Sequence, residues 1–505
     1  MIAAPDRRRA WRFPYLMIVE GFLLFGVLVF EIYRSLKVLP LPDGDQLAFY
    51  PVYLDVAHTG ELRHAFYSPI TDQFPAPMNW HGWLAPWLLG HVARLLGGDI
   101  VSVLQTEAIF IAAGLALFFA AQRRREEVPP LLIVLGGLIV AASLSAAKGR
   151  PELLAGFILL GWYAAQSHVH RDLPRCAITG ITLGVLGSTQ PTVAALFSLF
   201  VLAYATLHRH PVAEFGRWLS ANLLAAVIVA AGAELVFPNG LLFWLTGLAK
   251  HAAVVGTRPI SLAGVPQYFL FAPERFMHGL VLLIAAFSVA AWLLKTRRIS
   301  ITSLATMAVC LFAAWYFGVR LPPTAYNLLV FVPLAVCLLL RLGVLQRLAA
   351  PAAAFPAANR LGARLVLTAA ALSLPMQMAV TGFNDRYGVS RDEFQAMIDR
   401  ISSNRSRIVI DPSLLVGAVP FEKWPSMRPW RPQGLVAQDA GPICGPQDVV
   451  IVKQANSGQT APPRIQGCRL SADTFTPIRV RFFGKDLVLI PKAYQYALFQ
   501  EDGAR

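Results

Sequence analysis

The chain is a succession of long apolar runs separated by short basic or Pro/Gly-rich breaks, and its character changes near residue 382. The first run, about 15–36, follows Arg7, Arg8, Arg9 and Arg12. It is long enough to cross a hydrocarbon layer of ~30 Å at about 1.5 Å per residue. A cleaved signal peptide has a shorter apolar core and a small-residue cleavage site, so this run reads as a retained helix. Further apolar runs occur at about 101–121, 129–147, 151–167, 174–188, 190–207, 217–237, 277–295, 299–318, 325–341 and 362–381. The pattern predicts a polytopic α-helical membrane protein with about eleven transmembrane helices.

Two loops between these runs are long, 37–100 and 238–276. Loops of that length are functional or carry structure of their own. The aromatic piece 83–96 is too short to span and reads as an amphipathic helix at the membrane interface. Past residue 382 the chain turns polar and Pro/Gly-rich, with β-like runs at 407–410, 449–452, 478–483 and 487–490. The last two runs predict a hairpin through Phe483-Gly484-Lys485-Asp486, and 391–401 a helix entered after Ser390. The expected division is a membrane domain over 1–381 and a small α/β or α+β domain over 382–505, outside the cytoplasm.

Composition agrees with that class. Apolar residues make up 56% of the 505 and charged residues 14%. A soluble domain carries about 25% charged residues, so one large soluble enzyme is excluded, and so is a disordered chain. The net charge of +15 does not point to nucleic acid, because no RNA-binding or zinc-finger motif accompanies it. Eighteen Lys and Arg fall in the breaks assigned to the cytoplasm and nine in the outer loops, the positive-inside bias. With an odd number of spans, the N-terminus is then cytoplasmic and the C-terminus outside the plasma membrane. There, Cys444 and Cys468 are in a position to form a disulfide. No glycine-rich phosphate loop and no fixed-period repeat occurs.

The candidate chemistry concentrates in the first long loop, which begins Pro42-Asp43-Gly44-Asp45-Gln46 where the first run ends. A carboxylate at a membrane–water boundary suits a general base that deprotonates an attacking acceptor. An Asp-x-Asp pair also suits a divalent cation, although no cofactor is favoured. The bland alternative is turn and cap chemistry, since Pro-Asp-Gly-Asp makes good turns. Acids inside apolar runs, Glu20, Glu31 and Glu107, with Glu152 and Glu234 near outer ends, are functional candidates by position but make no mid-membrane relay.

The loop resembles the first outer loop of lipid-dependent membrane glycosyltransferases of the C-type fold, nearest the protein O-mannosyltransferase and aminoarabinose-transferase branch. The resemblance rests on the spacing from Asp45 to Gly60 with Tyr50, Tyr53 and Ala57 between, on His81-Gly82-Trp83-Leu84, on Arg150-Pro151-Glu152, and on the 320–333 stretch. Gln46 stands where that branch carries Glu, and His81-Gly82 where it carries prolines. The resemblance implies transfer, with inversion, of a sugar from a polyprenyl-phosphate donor to an extracytoplasmic acceptor. It implies Asp45 as base, with Asp43 beside it. Cations at the outer edge, Lys148, Arg150, Arg258, Arg275 and Arg320, would stabilise the departing lipid phosphate. His81 and Tyr50 would contact substrate. The rival expectations are a transporter or lipid flippase, hinted at by the break at 187–191, and a non-catalytic assembly protein.

Overall fold

The computed structural model describes residues 7–42, 46–65, 75–122, 128–169, 171–206, 211–256, 281, 284, 330–341, 357–403, 407–429, 448–453, 461, 463–465, 468–475, 478–482, 485–489, 491 and 493–501. Helices dominate the described residues up to 387. They are α1 (Arg7–Lys37), α2 (Gln46–Thr59), α3 (Leu84–Leu95), α4 (Ile100–Gln122), α5 (Pro130–Ala146) and α6 (Pro151–His168). After these come α7 (Asp172–Thr189), α8 (Pro191–Thr206), α9 (Pro211–Val236), α10 (Gly240–Gly256), α11 (Val332–Arg341) and α12 (Ala357–Tyr387). A short antiparallel pair, β1 (Arg63–His64) with β2 (Ala76–Pro77), lies between α2 and α3. Prolines open α5, α6, α8 and α9, where a missing N–H costs nothing and the fixed φ suits the first turn.

One apolar core joins α1, α4, α5, α6, α7, α8, α9, α11 and α12 through residues such as Phe118, Ile133, Leu159, Phe197 and Leu340. Helix α7 packs closely on α9. Gly180 and Gly184, one turn apart, let the α9 side chains Leu224 and Ile228 close on the α7 backbone. That is the small-residue packing by which helices approach without large side chains between them. Some faces stay uncovered. Ile18, Phe22, Phe25, Val29 and Leu36 form an exposed apolar stripe on α1, as do Phe215, Leu219, Leu223, Val227 and Leu235 on α9.

The expectation of about eleven transmembrane helices is not borne out. Among the described residues, two helical stretches are long and apolar enough to cross a membrane, 100–122 and 213–236. The apolar helices 130–146, 191–202, 240–254 and 332–341 are shorter than the ~20 residues a span needs. Hydropathy along a chain measures apolarity, and a helix buried on several sides by its neighbours is as apolar as one facing lipid. Even in the 100–122 helix 56% of the most apolar window is buried inside the protein. The expected runs 277–295 and 299–318 fall outside the described residues, apart from Val281 and Ile284. The eleven-span architecture read from the apolar runs is therefore withdrawn.

The last quarter builds a mixed sheet. Its elements are α13 (Arg391–Ser402), β3 (Arg407–Ile410), α14 (Pro412–Ala418), a 3-10 turn (Phe421–Ser426), β4 (Met427–Pro429) and β5 (Asp448–Lys453). They continue with β6 (Arg464–Ile465), β7 (Cys468–Asp473), β8 (Ile478–Phe482), β9 (Lys485–Leu489) and β10 (Tyr496–Gln500). Six strands pair in the order β4-β3-β5-β10-β7-β6, parallel from β4 to β5 and antiparallel beyond. The hairpin β8–β9 stands apart as its own antiparallel pair. Helix α13 starts after Ser390, as expected, through a capping box with Glu393. Cys468 is disulfide-bonded, and the expected partner Cys444 lies outside the described residues.

This sheet region shares a core with the first long loop. Phe394, Ile410, Leu414, Trp424 and Tyr494 pack in one cluster with Val38, Leu41, Tyr53 and Trp80. The Tyr494 hydroxyl donates to the Gly417 carbonyl at 2.9 Å, and a side chain at Gly417 would meet Leu41 at 2.8 Å. The chain leading to Asp43 is thus laid against α14.

Candidate functional site

The end of α1, the start of α2, the middle of α4 and the turn between α5 and α6 converge on one buried polar network. Glu31, in the last two turns of α1, is fully buried and accepts three hydrogen bonds. They come from Ser145 Oγ at 2.6 Å, Lys148 Nζ at 2.9 Å and Arg34 Nη1 at 3.3 Å. Arg34 also donates from Nη1 to Ser145 Oγ at 2.7 Å and from Nε to the Leu39 carbonyl at 3.3 Å. Glu107 of α4 accepts from the Gly149 N–H at 2.6 Å and from the Tyr50 hydroxyl at 3.0 Å. Gln46, the first residue of α2, donates from Nε2 to the Lys148 carbonyl at 2.9 Å. Glu152, in the first turn of α6, accepts from Gln190 Nε2 at 3.0 Å.

The turn 147–150 is built for this convergence. Gly149 has φ +76, a conformation that glycine adopts freely. A Cβ there would stand 2.5 Å from Gln46 Cγ and 2.9 Å from the Tyr50 hydroxyl oxygen. Arg150 is buried at the N-cap of α6, with Pro151 at the first helical position. Three carboxylates, Glu31, Glu107 and Glu152, thus occupy the same region as three buried cations, Arg34, Lys148 and Arg150. Buried charges persist where they are paired and hydrogen-bonded, and Glu31 with its three donors meets that condition.

His81 belongs to an adjoining aromatic group. Its ring meets Phe49 edge-on with centroids 5.0 Å apart, and Trp80 at 5.9 Å. Nδ1 accepts the Gly82 N–H at 2.8 Å, and the His81 carbonyl accepts from Trp244 Nε1 at 2.7 Å. Gly82 is pressed on the end of α7, where a Cβ would come within 1.9 Å of the Thr189 carbonyl oxygen. Burial pushes the His81 imidazole below its ordinary pKa, against the opposing pull of Glu152. It therefore acts near neutrality as an uncharged hydrogen-bonding ring. Burial, and then the neighbouring Glu107, push the Tyr50 hydroxyl well above its ordinary range, so it is a donor and not a base.

The structure thus brings Tyr50, Lys148 and the Arg150 turn together, with His81 in the next group. Asp43, Asp45, Arg258, Arg275 and Arg320 lie outside the described residues. The sequence reading missed Arg34 and Ser145 and assigned Glu31 and Glu107 no partners. The signal for Arg34 was present, because Glu31 and Arg34 stand three apart at the end of an apolar helix and so share a face. Ser145 left no signal, since a serine near the end of an apolar helix is unremarkable until its neighbour is known. Among the described residues no group of three or more His, Cys, Asp or Glu is placed to hold a metal ion. No family model matches the chain, and no curated protein matches it.

Proposed function

We propose that the protein is a membrane-associated transferase that moves a sugar from a polyprenyl-phosphate donor to an extracytoplasmic acceptor, with Asp45 as general base. The observation that carries the reading is the Gln46–Lys148 hydrogen bond. It ties the residue next in sequence to Asp45 to a turn bearing two buried cations. A departing lipid phosphate needs positive charge near the reacting centre, and Lys148 and Arg150 supply it. The exposed apolar faces of α1 and α9 support a lipid environment, because contiguous exposed apolar surface marks membrane or partner contact. Arg7, Arg8, Arg9 and Arg12 at the head of α1 favour a cytoplasmic N-terminus. The disulfide-bonded Cys468 favours an oxidising compartment for the sheet region.

One observation favours a second reading, a non-catalytic assembly protein. Glu31 already has three partners within the protein, as a purely structural latch would. A transfer assay in membranes with radiolabelled polyprenyl-phosphate sugars separates the two. Asp45→Asn is expected to lower transfer by ~10²–10⁴ without lowering the amount of protein in the membrane, and Asp43→Asn to retain most activity. Full activity of Asp45→Asn removes the general base. Absence of transfer by the wild type from every donor favours the assembly reading.

A further inference from the structure

We propose that the groove between α7, α8, α9 and α10 is a binding site for one acyl chain of a membrane phospholipid. A cavity of about 580 Å³ lies between these four helices. That is within the ~300–1,000 Å³ of small-molecule sites. Gly187 of α7, Ala194 and Ala195 of α8, and Ala225, Ala226 and Ala230 of α9 form much of its wall. The gap follows from their size. Gly187 lets α7 come so near α9 that a Cβ there would stand 2.9 Å from Val229 Cγ2. The alanines of α8 and α9 are too short to fill the space beside that contact. On α9 the wall runs from Asn222 to Ala230, through positions three and four apart on one face. At about 1.5 Å per residue the groove follows α9 for ~12 Å.

The wall keeps its hydrogen-bonding groups for the protein. Ser198 Oγ donates to Asn222 Oδ1 at 2.9 Å and accepts from Trp218 Nε1 at 2.9 Å. Asn222 Nδ2 donates to the Trp218 carbonyl at 2.8 Å. Trp244 also lines the cavity, and its Nε1 is spent on the His81 carbonyl at 2.7 Å. Among the described residues no charged side chain lines the wall. A sugar or phosphate would leave its polar groups unpaired there, whereas a dry apolar cavity takes apolar guests. The mouth names the guest. Ala226 and Leu245 line the cavity and are themselves exposed, and Ala226 adjoins Leu223 and Val227 of the exposed stripe. The 213–236 stretch is long and apolar enough to cross a membrane, with 17% of its most apolar window buried, against 56% for 100–122. Helix α9 is thus turned outward, and the medium at the mouth is the hydrocarbon of the bilayer. The inference rests on the membrane association proposed above and not on the transfer reaction.

The test is photolabelling of the full-length protein in phosphatidylcholine nanodiscs. A tracer phosphatidylcholine carries a diazirine on one acyl chain, and labelled peptides are mapped. Ser198 and Trp244, both buried, report the groove, and Leu223 and Val227, both exposed, report the outer face of α9. Wild type is expected to take label at all four. Ala195→Phe and Ala226→Phe place a ring in the groove and are expected to cut the label at Ser198 and Trp244 by about fivefold or more, with Leu223 and Val227 unchanged. If these variants fail to fold, Ala195→Leu fills less and is expected to act in the same direction. Label at Leu223 and Val227 with none at Ser198 and Trp244 overturns the site, as when another segment of the chain fills the groove. Groove label that the filling variants leave unchanged also overturns it. A second arm uses a photoreactive polyprenyl phosphate, and groove label from that tracer with none from phosphatidylcholine overturns the acyl occupant. No label at any of the four residues removes the membrane reading itself, and the inference with it.

Discussion

Two ion pairs in this molecule invite comparison. Lys423 and Asp399, in the sheet region, meet at 2.6 Å with both side chains about half exposed. Lys148 and Glu31, in the helical region, meet at 2.9 Å with almost no exposure. The shorter pair is the weaker one. Water solvates both members of the surface pair when they part, so little is lost on separation. The buried pair has no such alternative, and its members depend on each other and on Arg34 and Ser145. Length of contact says little about contribution, and access to water decides it.

The largest expected effect breaks the buried side of this comparison. Glu31→Gln removes the carboxylate that Arg34 and Lys148 share and leaves two cations buried side by side. A loss of about 3–5 kcal/mol of stability is expected, the magnitude for stripping one partner from a buried pair. Thermal or denaturant unfolding in detergent measures it. A loss below about 1 kcal/mol would show that water reaches the site and that the two pairs are alike.

Asp55 sharpens the comparison from the middle. It is buried, yet its partner Arg63 is partly exposed and stands 3.5 Å away while also holding Glu61 at 2.9 Å. Burial outweighs Arg63 and raises the Asp55 carboxyl from its usual range to about 6. The folded state therefore binds this proton more tightly than the unfolded state. Its contribution to stability is fully present below about pH 4 and is lost as pH rises through about 6. Asp55→Asn does not titrate, so its stability relative to wild type should improve by about 2–3 kcal/mol between pH 4 and pH 7.5. Paired melts at the two pH values test this. A difference that does not move with pH means that Arg63 offsets burial in full.

These cases also show which parts of the molecule could be read from its residues. Ser390 announced a helix start, and the β-like runs at 478–483 and 487–490 announced the hairpin whose strands are 478–482 and 485–489, because caps and turns are local. The fate of the apolar runs was not local. Whether α5 faces lipid or lies against α12 and α11 depends on residues more than a hundred positions away. The network had the same limit. Lys148 and Arg150 stood out as cations, but Glu31 lies 117 residues from Lys148 and the Tyr50–Glu107 bond joins residues 57 apart. Gln46 read as a departure from a family pattern until its carbonyl partner gave it a donor's role.

The smallest expected effect is at the surface pair. Lys423→Ala removes a 2.6 Å contact to Asp399 that joins the 3-10 turn to α13. Screening by water and salt and the entropy of holding two long side chains offset most of its Coulomb attraction. Asp399, once freed, is hydrated without penalty, because its side chain is already exposed. The expected loss is ~0.2–1 kcal/mol at low salt and less at ~0.5 M salt, read as a small shift of the unfolding midpoint with an unchanged slope. A loss as large as that of Glu31→Gln, or one insensitive to salt, would mean that this contact holds the sheet region together and that exposure is the wrong measure of an ion pair in this protein.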